Sequence, residues 1–178
     1  GSVGVRPPGA VAGSGGGAEP EPGDLAKRQR PWPLLNVIVS RTLAVPLSAA
    51  YLAESRIRPL ILSPEPPKTA LPVEVLSPPP SLGCGRDLPI RWVVDTLRAR
   101  GVETLLVEGG GDLLFQFLAA DALDELYVTL CPKVIGGRGV PSLVDGAGFA
   151  FAELRKLQLR SADVAGDEIF LHYAVAGR

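Results

Sequence analysis

The sequence predicts an α/β protein with a mostly parallel sheet and an antiparallel edge, and two patterns carry this prediction. Between about residues 33 and 120, short apolar runs are followed by segments whose apolar residues recur at helical spacing. After residue 124 the chain contains three further strand patterns. Alternating strands and helices are typical of a parallel sheet between helix layers, so we expect a three-layer αβα arrangement whose antiparallel edge is C-terminal.

Residues 1–32 differ in composition from the rest of the chain. They are rich in Gly, Pro, Ala and Glu and contain few large apolar side chains. Such a segment cannot bury enough surface to offset the entropy lost on ordering. The sequence therefore predicts a flexible tail over residues 1–32 and one α/β domain over residues 33–178.

The first part of this domain contains strand patterns, a short helix and a longer amphipathic helix. Ser48 is expected to cap the short helix over Ser48–Ala53. Asp87-Leu88-Pro89 is a helix-start signal, and the apolar spacing from Ile90 to Leu97 predicts a helix with one core face that ends at Gly101. The predicted strands are Leu34–Val39, Leu60–Leu62 and Val73–Leu76.

The stretch around Glu108 is the strongest local signal for a binding site. A buried strand over Thr104–Val107 is followed by Glu108, then by Gly109-Gly110-Gly111 and a helix that opens at Asp112. Unpaired N–H groups at a helix start favour an anion such as phosphate. Glu108 would then lie on the rim of a ligand crevice. A tight strand-to-helix turn with a surface glutamate is the alternative interpretation.

The C-terminal part is predicted to be a meander of strands. The turn Ala165-Gly166-Asp167 separates the last two of them and suits a hairpin. Cys131 lies in the first strand and is interpreted as a small core residue. The three predicted strands are Glu125–Val134, Leu154–Ala162 and Glu168–Val175.

Composition excludes several classes of function. A net charge of −1 with scattered Lys and Arg provides no basic surface for nucleic acid. No apolar run reaches the roughly 18 residues of a membrane span, and no signal-peptide pattern is present, so a cytoplasmic protein is expected. One His and two Cys make a metal site improbable. No nucleophile–base pair is evident, which would be explained by chemistry that a cofactor supplies.

Four motifs together resemble one known family, the riboflavin-pathway pyrimidine reductases. The resemblance covers about residues 33–176 and is densest from 88 to 150. The family includes the reductase half of the bifunctional deaminase–reductase and stand-alone archaeal and fungal enzymes. The motifs are Leu105-Leu106-Val107-Glu108-Gly109-Gly110-Gly111, Leu123-Asp124-Glu125-Leu126-Tyr127-Val128, Pro132-Lys133-Val134-Ile135-Gly136-Gly137 and Leu143-Val144-Asp145-Gly146.

The resemblance implies a dihydrofolate-reductase-like fold, a homodimer and a defined reaction. The family uses NADPH to reduce the ribosyl group of an aminopyrimidine ribosyl phosphate to ribityl, by hydride transfer to C1′ of the sugar. By this resemblance, Glu108 contacts substrate and Ser40, at the end of the strand, contacts cofactor. The NADPH-phosphate turn would comprise Gly109, Gly110, Gly111, Asp112, Leu113, Leu114 and Phe115. No catalytic residue is assigned.

The chain departs from the family pattern at its N-terminal end. Family members begin with a strand carrying Ser-x-Asp-Gly, followed by a Gly-Thr turn and an Asp-Asp-Pro-like segment that supplies the Asp suspected in catalysis. The Gly-rich tail stands in their place here, and Asp24 is a poor match. A truncated or divergent, non-catalytic dimerisation or nucleotide-binding module of the same fold is therefore the alternative function. A reductase acting on another carbonyl or imine is a weaker one.

Overall fold

The computed structural model describes residues 2–5, 33–83 and 85–176, and in them the chain forms two sheets. Two compact units are present: a smaller unit, Val11–Val93, and a larger unit made of Gly1–Ala10 and Val94–Arg178. The elements in chain order are β1 (Ser2–Val5), β2 (Leu34–Val39), α1 (Ala49–Leu52), β3 (Ile57–Leu62), β4 (Glu74–Leu76), α2 (Ile90–Ala99), β5 (Leu105–Leu106), α3 (Gly111–Ala119), β6 (Glu125–Leu130), β7 (Lys156–Ala165) and β8 (Glu168–Ala176), with short 3-10 helices at Pro80–Leu82 and Phe151–Glu153.

The sheet of the smaller unit is parallel and has the order β2-β3-β4. Its central strand contains Leu60, Ile61 and Leu62, which are all 0% exposed. A continuous apolar run of this kind is typical of a parallel strand that is covered on both faces. All three strands are confirmed, although β3 begins at Ile57 rather than Leu60, because it pairs along the full length of β2.

The short helix α1 begins as its sequence predicted. The backbone N–H of Tyr51 donates to Oγ of Ser48 over 3.1 Å, which satisfies one of the amides left free at a helix start. The Tyr51 hydroxyl then donates to Oδ1 of Asn36 on β2 over 2.7 Å. The cap is therefore confirmed, and the helix is tied to the first parallel strand.

Helix α2 confirms the predicted amphipathic pattern. Ile90, Val93 and Leu97 are 6%, 2% and 2% exposed, as expected for residues on one helical stripe. Gly101 ends the helix at φ +82°, a backbone conformation that other residues rarely adopt. Its N–H donates to the carbonyl of Arg98, and the next N–H, of Val102, donates to the carbonyl of Leu97.

The sheet of the larger unit has the order β5-β1-β6-β8-β7, and every neighbouring pair is antiparallel. The predicted combination of parallel and antiparallel strands is confirmed, but the share of parallel pairing is smaller than predicted. Parallel pairing is confined to the smaller sheet, and antiparallel pairing extends beyond a C-terminal edge to the whole larger sheet.

The tail prediction does not hold at Ser2–Val5. These residues form β1 between β5 and β6, with Gly4 opposite both Leu106 and Glu125. The physical reason is that two strands with unpaired N–H and C=O groups gain hydrogen bonds on both sides of an inserted segment, whatever the side-chain composition of that segment. Residues 6–32, the rest of the predicted tail, lie outside the described residues.

The C-terminal strands confirm the hairpin but correct the bounds of two strands, and β7 is Lys156–Ala165 rather than Leu154–Ala162. Strand β6 ends at Leu130 rather than Val134, so Cys131 is exposed and its interpretation as a core residue was wrong. A hydrogen bond with Glu168 raises the pKa of the Cys131 thiol. Gly166, at φ +61°, makes the predicted turn between β7 and β8.

Buried apolar residues of the larger unit come from the C-terminal part of α2, from α3, from β6 and from the segments beside them. Phe117 and Leu126 are each 2% exposed. The other buried large side chains of this unit are Leu97, Val107, Leu114, Leu118 and Leu123.

No helix among the described residues is long and apolar enough to cross a membrane.

Candidate functional site

The glycine turn lies in the larger unit and leads directly into helix α3. Val107 is buried, Glu108 is exposed, and Gly110 is the N-cap of the helix in an extended conformation. The N-cap residue has no side chain that could cap the helix by a hydrogen bond, and a Cβ built on Gly110 would have no atom within 4 Å. The helix start is therefore open on the side where a ligand oxygen could approach the backbone amides.

Gly111, the first residue of α3, is buried against a second loop. A Cβ built on Gly111 would lie 2.5 Å from Oδ2 and 2.6 Å from the backbone N of Asp145. Real Cβ atoms essentially never approach other atoms this closely. The residue after the N-cap must therefore be glycine if the loop carrying Asp145 is to pack against the helix start.

Asp145 is held in place by the residue at the beginning of its own loop. Both the backbone N–H and the hydroxyl of Ser142 donate to Oδ1 of Asp145, over 3.1 Å and 2.6 Å. These hydrogen bonds lower the pKa of the Asp145 carboxyl, and the bond from the hydroxyl has the larger effect. The ionised carboxylate thus lies beside the positive end of the α3 dipole, a favourable arrangement.

An aromatic pair extends this contact along α3. The rings of Phe115 and Phe149 lie 5.0 Å apart, and a Cβ on Gly146 would be 2.6 Å from Cδ1 of Phe115. Gly146 also has φ +90°, so both its backbone conformation and its surroundings require glycine. The guanidinium of Arg155 lies 5.3 Å from the Phe149 ring centroid and forms an ion pair with Asp121, which fixes the far end of the loop.

Ser40 is described within the smaller unit, at the carboxyl end of β2. Its Oγ accepts a hydrogen bond from the N–H of Leu43 over 3.1 Å, and its own N–H donates to the carbonyl of Leu62. Leu43 adopts φ +58°, which costs a non-glycine residue roughly 1–2 kcal/mol. The Ser40 hydroxyl therefore shapes a strained turn at the carboxyl end of β2.

The structure brings the predicted residues 108–115 together with residues of a second loop that were not predicted to belong to the site. Asp145, Gly146 and Ser142 were given no site role from the sequence, although two of them belong to the fourth motif. The signal was the Asp-Gly pair after a glycine-rich loop, which is typical of a turn with a buried or hydrogen-bonded aspartate.

His172 lies on β8 with its side chain partly buried. Its ring stacks on Tyr127 with centroids 4.3 Å apart, and Nε2 lies 3.8 Å from Oε2 of Glu125. Among the described residues, no group of three His, Cys, Asp or Glu side chains is placed to hold a metal ion. The groups of the candidate site that can bind a ligand are therefore backbone amides and carboxylates.

The ionisation of Asp145 predicts a pH dependence of stability. Its folded pKa is lower than the ordinary value of 3.8, so its hydrogen bonds to Ser142 stabilise the fold at and above that pH and are lost as the pH falls through the folded pKa. We expect Asp145→Asn to be less stable than the original chain near neutral pH, with the difference shrinking below about 3.8. Urea unfolding over a pH series measures this, with exposed Asp163→Asn as control. A difference that is independent of pH would contradict the assignment.

Comparison with known proteins gives a family-model match over residues 17–171, described as the RibD C-terminal domain. Two similar relatives are both named 2,5-diamino-6-ribosylamino-4(3H)-pyrimidinone 5′-phosphate reductase. The one from Methanothermobacter thermautotrophicus is 31% identical over 52% of this chain and 43% of its own length. The one from Archaeoglobus fulgidus is 28% identical over 75% of this chain and 59% of its own length. The matched segment thus covers about half of each relative.

Solved structures agree on the fold. A pyrimidine reductase-like protein from Corynebacterium diphtheriae superimposes with a TM-score of 0.61 at 22% identity, over 80% of this chain and 61% of its own. A deaminase/reductase from Thermotoga maritima gives a TM-score of 0.63 at 16% identity, over 86% of this chain and 43% of its own. The expected dihydrofolate-reductase-like fold is thereby confirmed. Because the family model matches most of the sequence, the chain belongs to the RibD C-terminal domain family.

Proposed function

We propose that this chain carries out the NADPH-dependent reduction of the ribosyl group of an aminopyrimidine ribosyl phosphate to ribityl, in riboflavin biosynthesis. The observation that carries the proposal is the packing of the Asp145 loop against Gly111, which joins two of the four family motifs at the open start of α3. Relatives named as pyrimidine ribosylamino-phosphate reductases support the same reaction class.

The glycine turn fits a phosphate group of NADPH. A Cβ on Gly110 would face open space and Gly110 has no side chain to cap the helix, so a ligand oxygen could meet the first backbone amides of α3, which have no acceptor within the helix. Asp145 and Asp112 place negative charge near the same helix end, which opposes an anion, so the backbone amides would have to hold the phosphate against this repulsion. Bound NADPH would supply the hydride that adds to C1′ of the sugar. The turn Gly109–Phe115 would hold its phosphate.

Glu108 would orient the substrate in this proposal. The strand predicted over Thr104–Val107 is shorter in the structure, since β5 ends at Leu106, which is 56% exposed. Glu108 follows buried Val107 just after this strand, and its side chain is exposed. A carboxylate accepts hydrogen bonds only, which suits the hydroxyl groups of a ribosyl unit or the amino groups of a diaminopyrimidine. Ser40 would add a hydroxyl contact to the cofactor.

Cofactor binding and turnover test the proposal separately. NADPH is titrated while nicotinamide fluorescence is followed, and NADPH oxidation is then measured with the diaminopyrimidine ribosyl phosphate. Saturable binding with turnover is expected. Binding without turnover would favour the alternative, a non-catalytic nucleotide-binding module of the same fold. The absence of saturable binding would overturn the proposed enzyme.

Glu108→Gln is expected to weaken substrate binding and to leave the fold intact. The substitution keeps the size of the side chain but removes the charge that accepts hydrogen bonds from substrate. A loss of one charge-assisted hydrogen bond corresponds to about 1.5–3 kcal/mol, or roughly 10- to 150-fold in KM. Steady-state kinetics and thermal unfolding measure the two effects.

The matched control for this substitution is Glu103→Gln, which changes another exposed glutamate of the larger unit. It should leave both KM and thermal stability unchanged. A loss of stability in Glu108→Gln on the order of 2–5 kcal/mol, as for a core deletion, would show that Glu108 is structural instead.

A homodimer is part of the proposed function. The family resemblance implies this state, and two-fold dimers are the commonest assemblies of soluble proteins. Sedimentation of the chain over a concentration series measures it.

A further inference from the structure

The segment that follows β6 is exposed along its whole length. We call residues 132–141 the Arg138 loop; every residue in it is exposed, and it forms no helix or strand. Val134 and Ile135, near its beginning, are 97% and 90% exposed, although Val and Ile are among the residues most often buried in proteins. Adjacent apolar side chains that stand fully in water are typical of surfaces that bind a ligand or a partner.

The backbone of the Arg138 loop is suited to movement. Gly136, Gly137 and Gly139 have φ of +67°, +101° and +75°, and a Cβ on Gly136 or Gly139 would meet no atom within 4 Å. Glycine adopts positive and negative φ about equally well, so the backbone can change conformation at these positions without steric strain. Segments that close over a ligand in enzymes are commonly loops of this kind, with small residues and few contacts.

Both ends of the Arg138 loop are fixed to the larger unit. Before it, the thiol of Cys131 forms a hydrogen bond with Glu168 of β8. After it, Ser142 donates two hydrogen bonds to Asp145, whose carboxylate lies beside the first residue of α3. Ser142 follows Arg138 by four residues, which span at most about 14 Å when fully extended. The loop is therefore tethered close to the start of α3.

The charge of the Arg138 loop is opposite to that at the helix start. The loop contains Lys133 and Arg138 and no carboxylate. Asp112 and Asp145 lie near the open amides of α3 and oppose the binding of an anion. In the described part of the chain Arg138 forms no ion pair, so its guanidinium is available to a ligand. The loop thus carries the positive charge that a phosphate at the helix start would otherwise lack.

We propose that the Arg138 loop closes over the start of α3, that Arg138 donates hydrogen bonds to the phosphate bound there, and that Val134 and Ile135 pack over the bound ligand. This inference rests on the proposed function, since it takes that phosphate to belong to NADPH. A guanidinium is permanently charged and can donate two parallel hydrogen bonds to phosphate oxygens. Closure would also exclude water from the phosphate, which strengthens the electrostatic contact.

Arg138→Gln tests the contact with phosphate. NADPH affinity, measured by nicotinamide fluorescence, is expected to fall at least roughly ten-fold, because a charge-assisted hydrogen bond is lost. Arg160→Gln, which changes an exposed arginine on β7, is the matched control and should leave the affinity unchanged. Both side chains are exposed, so both variants should unfold at the same temperature as the original chain. Circular dichroism measures this.

Limited proteolysis of the original chain reports closure without turnover. Trypsin cleaves after lysine and arginine, so the exposed bond between residues 138 and 139 should be cut in the free protein. Saturating NADPH should slow this cut at least roughly ten-fold, because a closed loop has to open before it enters the protease. Cleavage after Lys68, in an exposed segment of the smaller unit, is the control and should continue at the same rate. Equal slowing at both bonds would overturn closure of the loop.

The remaining outcomes separate the loop from the proposed reaction. If NADPH binds equally well to Arg138→Gln and leaves the 138–139 bond accessible, the loop inference is overturned and the proposed function stands. An unchanged NADPH affinity with a raised KM for the pyrimidine ribosyl phosphate would assign Arg138 to the substrate phosphate and overturn its role at the cofactor. If NADPH does not bind, the proposed function fails. Inorganic pyrophosphate is then the probe, and the loop inference fails as well unless pyrophosphate slows the cut at 138–139.

Discussion

Gly111→Ala should destabilise the larger unit by about 1–3 kcal/mol, because the new methyl group would overlap the backbone N and carboxylate of Asp145. Alanine favours a helix over glycine by up to about 1 kcal/mol, so the overlap has to exceed this gain. It does so because one of the two overlapping groups is backbone, which cannot rotate away. Urea unfolding measures the change.

Gly110→Ala is the matched substitution one residue earlier. It meets no atom within 4 Å and the N-cap has φ −66°, so no strain is expected, and the cost to stability should be about 0.5–1 kcal/mol because glycine is preferred over alanine at an N-cap. In the proposed function, however, its methyl group lies where the NADPH phosphate approaches the amides. We expect NADPH affinity to fall roughly ten-fold, about 1.4 kcal/mol, with a smaller loss of stability than in Gly111→Ala.

The pair therefore separates packing from binding. Gly111→Ala should lower stability, and Gly110→Ala should lower cofactor affinity. Unchanged NADPH affinity in a folded Gly110→Ala variant would show that the phosphate does not bind at this turn. Unchanged stability in Gly111→Ala would show that the Asp145 loop does not depend on contact with the helix start.

Phe117→Ala is expected to cost about 3–5 kcal/mol, the largest effect of any single substitution proposed for this chain. Phe117 is 2% exposed and lies on α3, so its truncation leaves a cavity in the core of the larger unit. A loss of this size is a large part of the 5–15 kcal/mol by which domains are usually stable. Denaturant unfolding followed by circular dichroism measures it.

Phe151→Ala provides the control for this prediction. Phe151 belongs to the same unit and is 91% exposed, so the same chemical change removes almost no buried surface. Its effect should stay within about 0.5 kcal/mol. Similar losses in both variants would contradict the assignment of Phe117 to the core of the larger unit.

Much of the fold could be predicted because local patterns agreed with the tertiary structure. The helical spacing from Ile90 to Leu97, the Ser48 cap and the turn at Gly166 each depend on neighbours within a few residues. The end of β6 could not be predicted in this way. Apolar residues continue to Val134 and Ile135, and their exposure is decided by partners far along the chain.

The candidate site also has one part that the sequence predicts and one part that only the tertiary structure shows. Residues 108–115 could be recognised because glycines between a strand and a helix have a meaning that is local in sequence. Asp145 could not be assigned, since its contact with Gly111 joins positions more than thirty residues apart. Its packing follows from the absence of a side chain at Gly111 and from the hydrogen bonds that Ser142 donates, which become visible only when the two loops meet.

The sequence by itself determined the class of the fold, the family resemblance and the glycine turn that starts α3. Only the tertiary structure decided that Ser2–Val5 pair within the larger sheet, that Asp145 lies against Gly111, and which apolar residues stay exposed. The physical reason is the distance along the chain over which the interactions act. Helix caps, turns and side-chain alternation are set by backbone geometry over a few residues, whereas strand pairing and burial depend on surfaces from distant parts of the chain.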